Sequence, residues 1–412
     1  MENIYDIRIK EKLLYILPDD YSIFAPSHEI VASTAIAVNL YYEDNIERYF
    51  SNLDRLCNEY VIYIISSKQI ILDKAGEYFK GNSNIKLLKK ENRGRDVSAL
   101  LVSFREIALK YKYICFIHDK KAKNDLLEED VNNWIKNLWE NVIATKEYVN
   151  NILQMFEGNP DIGMLVPPEP LGECFAAWYG DAWGPNFNIT VQLCEELNVV
   201  DCNLDKDKYP ITLGTVFWAR TQCLSKLLLK EWTYEDFPEE PMPVDGTISH
   251  AIERIWGYVV QDAGFKVGTV MTTAYAQWSM LFAQNGMRRM YSILRDEMGI
   301  QNIRQVKNLE KQEDVIKKYF ATYNKVYLYG SGVYGRGLLK RIRQWNLLPI
   351  GFIVGNGRKM RANVDGLKIY ELQEIDLSED IGIIIAVNYN LQNDIEQDLK
   401  AAGFSNFIEG YI

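Results

Sequence analysis

Short, continuous apolar runs alternate with segments of helical period through the first third of the chain. Tyr60 to Ile65, Ile85 to Leu88 and Tyr113 to Ile117 read as strands, Ile30 to Leu40 as the strand that opens the series, and Ile46 to Leu56, Gln69 to Phe79 and Val97 to Leu109 as helices. Runs that are apolar throughout, rather than at every second position, belong to strands covered on both faces. The alternation therefore predicts a mostly parallel sheet flanked by helices. Further on, Ile162 to Pro167 and Ile211 to Ala219 read as strands, and Asp245-Gly246-Thr247 opens a helix whose Ile248, Ile252, Ile255 and Val259 form an apolar stripe.

From Met287 to Tyr323 the sequence is charged and helical in period, as suits a connector. Beyond it, Lys325 to Tyr329 leads into Gly330-Ser331-Gly332-Val333-Tyr334-Gly335, followed by a helix at Leu338 to Gln344 and strands at Ile350 to Val354 and Ile381 to Val387, a Rossmann-like order. The expected organisation is an α/β domain over 1–285, a helical connector over 286–322 and a smaller Rossmann-like domain over 323–412.

Composition narrows the classes. A net charge of -10 over 412 residues argues against a general nucleic-acid binder, which needs a basic surface. The 6 cysteines show no C-x-x-C pair and suggest neither zinc nor disulfides. Met1 to Asp20 mixes charges throughout, and no apolar stretch approaches the roughly 20 residues that span a bilayer. A cytoplasmic setting is expected, with peripheral attachment at the inner face of a membrane left open.

In parallel sheets ligands bind beyond the carboxyl ends of the strands. Two polar clusters fall there. Asn92, Arg93, Gly94, Arg95 and Asp96 offer arginines for a diphosphate and a carboxylate for ribose hydroxyls or a base. The same residues also suit a charged turn with Asp96 as helix cap. His118, Asp119, Lys120 and Lys121 follow a buried strand and suit a leaving group's charge, though a solvated turn fits them too. Asp205-Lys206-Asp207 matches the D-x-D cation pattern but lacks a positioning strand, and reads as a surface loop. Asp245 and His250 are candidates for acid–base work, with Asp245 as a plain helix cap the alternative; Glu253 and Arg254 read as a structural ion pair. Trp178, Trp183, Asn186 and Trp218 suit sugar rings and hydroxyls, or core packing. Gly330, Gly332 and Gly335 fit a pyrophosphate, but no acid follows at Val354-Gly355-Asn356 to hold a ribose.

Asn92 to Asp96, Phe116 to Lys121, Asp161 to Met164, Gly214 to Arg220 and Asp245 to Arg254, in this order, resemble the rhamnan-synthesis protein F family of polysaccharide glycosyltransferases. The resemblance implies a GT-A-like fold. It implies transfer of rhamnose or a related sugar, galactofuranose among them, from a nucleotide-diphosphate donor to a growing, lipid-linked glycan, with Asp245 as base. Where the family has threonine before its lysine, this chain has Asp119, an added carboxylate that leaves a divalent cation, Mg or Mn, open. An NAD-dependent sugar oxidoreductase or epimerase and a non-catalytic glycan-binding scaffold stand as alternatives, and the oligomeric state is left open.

Overall fold

The structure is a computed structural model that describes residues 13–44, 46–121, 128–169, 183–212, 214–298, 300, 308–376 and 380–410. It divides into two compact units at Ser279 and Met280. The larger holds an eight-stranded sheet: β1 (Leu14–Leu17), β2 (Thr34–Asn39), β3 (Val61–Ser66), β4 (Ile85–Lys89), β5 (Tyr113–His118), β6 (Ile162–Val166), β7 (Phe217–Arg220) and β8 (Lys266–Thr272), in the order β1-β8-β6-β7-β5-β2-β3-β4. All neighbours are parallel except β7, which runs against both β5 and β6.

Successive residues of the central strands feed two cores, as the unbroken apolar runs require. Ile36, Val38, Cys115 and Ile117 pack with helices Ile46–Asp54, Gln69–Tyr78, Glu128–Ile143 and Lys146–Gly158. Ala35, Ala37, Ile114 and Phe116 pack with the segment 95–108 and the helix Ile248–Asp262 on the other face.

Several elements depart from the sequence expectation. Ile30 and Val31 lie in a short helix, His28–Ala32, whose cap Ser27 accepts from the Ile30 amide, so the strand begins only at Thr34. The expected helix Val97 to Leu109 is broken: Arg95–Ser98 gives way to a π-helical turn over Ala99–Ser103 before Arg105–Ala108. Among the described residues of Ile211 to Ala219, strand begins at Phe217.

The smaller unit holds a six-stranded sheet, β11-β12-β10-β9-β13-β14, with β9 (Lys325–Tyr329), β10 (Gly351–Val354), β11 (Asn363–Val364), β12 (Leu367–Glu371), β13 (Ile381–Ile385) and β14 (Phe407–Glu409). It is parallel apart from β11. The helix after β9 starts at Val333, ahead of the expected Leu338. A Cβ on Gly335 would lie 1.8 Å from the Gly330 carbonyl oxygen, and Gly330 sits at φ +110°, so both glycines are needed for this turn to close.

Candidate active site

The connection out of β2 runs to β3 on one side and that out of β5 runs to β6 on the other, so strand order reverses between β2 and β5, which puts the expected ligand crevice beyond their carboxyl ends. Asp119 stitches that opening. Its amide donates to the Asn39 carbonyl at 3.1 Å, and its Oδ2 accepts from the amides of Tyr41 at 2.8 Å and Tyr42 at 2.7 Å. Burial pushes the Asp119 carboxyl up to about 6, against the downward pull of those two bonds.

His118 ends β5. Its Nδ1 lies 2.7 Å from the Asp119 carbonyl oxygen, which can only accept, so Nδ1 carries the proton and Nε2 is left 3.9 Å from Oδ2 of Asp96. That Asp96 oxygen is buried without a hydrogen-bond partner. A buried carboxylate oxygen with no donor is costly unless something supplies one.

The loop carrying Asp96 is tightly braced. Lys90 Nζ donates to the carbonyls of Glu91 at 2.6 Å and Arg93 at 3.2 Å, and Arg93 Nε donates to the Phe237 carbonyl at 2.6 Å. Burial pulls the Lys90 ammonium down to about 8. Gly94 and Arg95 both take positive φ, +69° and +47°, and a Cβ on Gly94 would meet Phe237 at 2.6 Å. Arg95 Nε sits 3.3 Å from Glu240, and Asn92 accepts from the Ser67 hydroxyl at 3.3 Å. Lys120 lies over the Trp134 ring, 3.3 Å from its centroid, and Lys121 pairs with Asp44.

The opposite wall comes from the start of the helix Ile248–Asp262. Its cap is Thr247, with Oγ1 2.8 Å from His250 Nδ1, so Asp245 is released from capping. Asp245 Oδ1 instead accepts from Asn186 Nδ2 at 2.7 Å and from the Gly246 amide at 2.9 Å, and lies 3.9 Å from His250 Nδ1. Burial holds the His250 imidazole below its usual range; of the charges around it, Asp245 and Asp96 pull upward and Arg254 and Arg95 downward. One turn on, Glu253 keeps 30% of its side-chain surface, yet Asp96, Lys120, Arg254 and His118 all act on its carboxyl. Desolvation and then the Asp96 charge push it up to about 7.

The segments around Asp96, His118 and Asp245 thus meet electrostatically in one basin, through His250 and Glu253. Not every expected residue faces it. Arg93 is turned to the 233–240 loop. Trp218 is wholly buried, with Nε1 donating to the Val142 carbonyl at 2.8 Å, which leaves no ring face for a sugar. Trp183 is packed against Phe187 and Tyr258 and donates to the Lys208 carbonyl at 2.7 Å. Asn186 is buried and serves Asp245 rather than solvent. Trp178 lies outside the described residues. Asp205 and Asp207 form a turn in which Asp205 accepts from the Asp207 amide at 3.0 Å. Among the described residues no group of three or more His, Cys, Asp or Glu is arranged to hold a metal ion.

Sequence reasoning passed over Lys90; it read Glu253 as the ion-pair partner of Arg254, as found at 3.9 Å, but did not reveal the nearness of Asp96, Lys120 and His118. Lys90 directly follows β4, the position that drew attention to its neighbours, and that signal was available. Nothing local marks Glu253, whose neighbours arrive from other elements.

A family model described as rhamnan synthesis protein F matches residues 1–265. Two similar relatives, each called "Uncharacterized protein WxcX", come from two strains of Xanthomonas campestris pv. campestris. Each is 29% identical over 184 residues, which is 44% of this chain and 25% of the relative, so the match spans about a quarter of the relatives' own length.

Proposed function

The chain belongs to the rhamnan synthesis protein F family, and from that premise we propose that its larger unit is a GT-A-like glycosyltransferase. It moves rhamnose or a related sugar, galactofuranose among them, from a nucleoside-diphosphate donor to a growing bacterial cell-surface polysaccharide carried on a lipid. The observation that supports this most is the meeting of Asp96, His118 and the Asp245 wall in one crevice at the point where strand order reverses.

In this reading the unpartnered Asp96 oxygen accepts from a ribose hydroxyl or base N–H of the donor. Arg95, Lys120 and Lys121 face its diphosphate. Asp245 takes the proton of the acceptor hydroxyl as that oxygen bonds to the sugar's anomeric carbon. The bond from that carbon to phosphate breaks, and its electron pair leaves with the nucleoside diphosphate, whose charge the cations offset. Asp119 already spends one oxygen on the Tyr41 and Tyr42 amides, so its first role is to shape the crevice, and no step is assigned to a cation.

In this reading the reaction takes place in the cytoplasm. Among the described residues no helix is long and apolar enough to cross a membrane. The test is release of nucleoside diphosphate from a panel of nucleotide sugars, paired with thermal shifts with and without Mg or Mn, since a true ligand stabilises the fold by mass action. Stabilisation by no nucleotide and turnover of no donor would remove the transferase reading.

A further inference from the structure

The helix Thr273–Met298 carries an apolar face that the fold leaves in solvent. Met280, Met287, Met290 and Ile293 are 59%, 50%, 59% and 60% exposed. At about 100° per residue, Met280, Met287, Met290, Tyr291 and Leu294 fall on one side between residues 280 and 296, with Ile293 at its edge. Asn285, Arg288, Arg289, Ser292 and Arg295 fall on the other; Phe282 lies at the border beside Arg289, and Leu281 breaks the pattern.

We propose that this stretch, 280–296, docks the protein on an anionic lipid surface, lying in the plane of the headgroups with its methionine face toward the acyl chains. Three arginines stand on the polar side in a chain whose net charge is -10, so basic charge is concentrated where apolar surface is. The acids beside them are already engaged, Asp296 by Arg295 at 2.8 Å and Glu297 by Lys340 at 2.6 Å. Methionine side chains adapt to a fluid partner and supply no rigid anchor for a packed one. The surface deepens the reading of a lipid-carried acceptor, on which its purpose rests.

The experiment is co-sedimentation of the full chain with vesicles of phosphatidylcholine alone and of phosphatidylcholine mixed with phosphatidylglycerol, at low and high salt. Binding is expected to the mixed vesicles and to fall as salt rises. It should drop by about tenfold or more in Met287→Glu/Met290→Glu and, separately, in Arg288→Gln/Arg295→Gln. These positions are exposed, and unchanged circular dichroism checks that both variants fold. No binding to mixed vesicles, or binding indifferent to both pairs, overturns the proposal. So does a dimer that Met287→Glu/Met290→Glu dissolves while vesicles are ignored. The vesicle measurement needs no turnover, so its failure is distinct from failure of the transferase reading.

Discussion

Asn186 and Asp245 are 59 residues apart in sequence and 2.7 Å apart in space, amide nitrogen to carboxylate oxygen. Asn186 itself is fixed at both ends, its Nδ2 also reaching the Trp183 carbonyl at 2.9 Å and its Oδ1 accepting from the Gly246 amide at 3.1 Å. The carboxylate proposed as base is thereby oriented by a rigid amide rather than by the helix that follows it.

Replacing Asp245 with Asn is expected to abolish sugar transfer while nucleotide-diphosphate affinity stays near wild type. Asn186→Ala leaves the carboxylate in place but loosens it, so kcat should fall by about 10- to 100-fold with little change in donor KM. Steady-state kinetics beside calorimetric nucleotide binding checks both; retained turnover in Asp245→Asn removes it from the mechanism.

Asp119 makes stability depend on pH in an unusual direction. Its carboxyl titrates near 6 when folded and near 3.8 otherwise, so between these values the native state holds more protons and stability falls as pH rises. Over that window the effect reaches at most about 3 kcal/mol. Denaturant unfolding from pH 4 to pH 7 should show the decline in the wild type and a shallower one in Asp119→Asn.

Glu253, near 7, controls charge in the crevice at working pH. Below that value it is neutral and an anionic nucleotide is bound against one negative charge fewer. Nucleoside-diphosphate affinity should therefore weaken several-fold as pH rises through 7. Glu253→Gln should flatten the dependence, read by calorimetry across pH; an unchanged slope in the variant excludes Glu253 as its source.

Gly94→Ala strains the backbone at φ +69° and drives a methyl into Phe237. Stability should drop by about 2–4 kcal/mol, and with it the seating of Arg95 and Asp96. Chemical denaturation reports the first and nucleotide affinity the second.

The framework was legible where packing leaves a strong local trace. β5 is apolar from Tyr113 to Ile117 and ends in a polar cluster, so both the strand and its exposed end could be read from the letters. β8 could not. Gly268 sits within it because a Cβ there would meet Tyr15 at 2.8 Å and Leu165 at 2.9 Å, and Thr269 and Thr272 are buried, so demands from neighbouring strands erase the apolar signature. The segment around Ile30 failed for the opposite reason: its apolar residues signal burial, and a serine cap decided the helix. In the site, Asp96, His118 and Asp245 carried local signals. Asn186 as a partner of Asp245, and Glu253 as a neighbour of Asp96, depend on contacts between distant segments that no single stretch of sequence displays.

Because β7 is the one reversed strand of its sheet, the chain between Val166 and Phe217 leaves and re-enters on the same rim, above the crevice. The donor-side groups hang on short turns anchored to β2, β4 and β5, whereas the described part of this excursion packs into the core through Trp183, Leu193 and Cys194 and holds Asp245 through Asn186. Exchanging it for the corresponding stretch of another family member, with Asn186 kept so that Asp245 stays oriented, would leave those turns untouched. Such a graft is a direct way to ask whether the glycan accepted can be changed while the nucleotide sugar consumed stays the same.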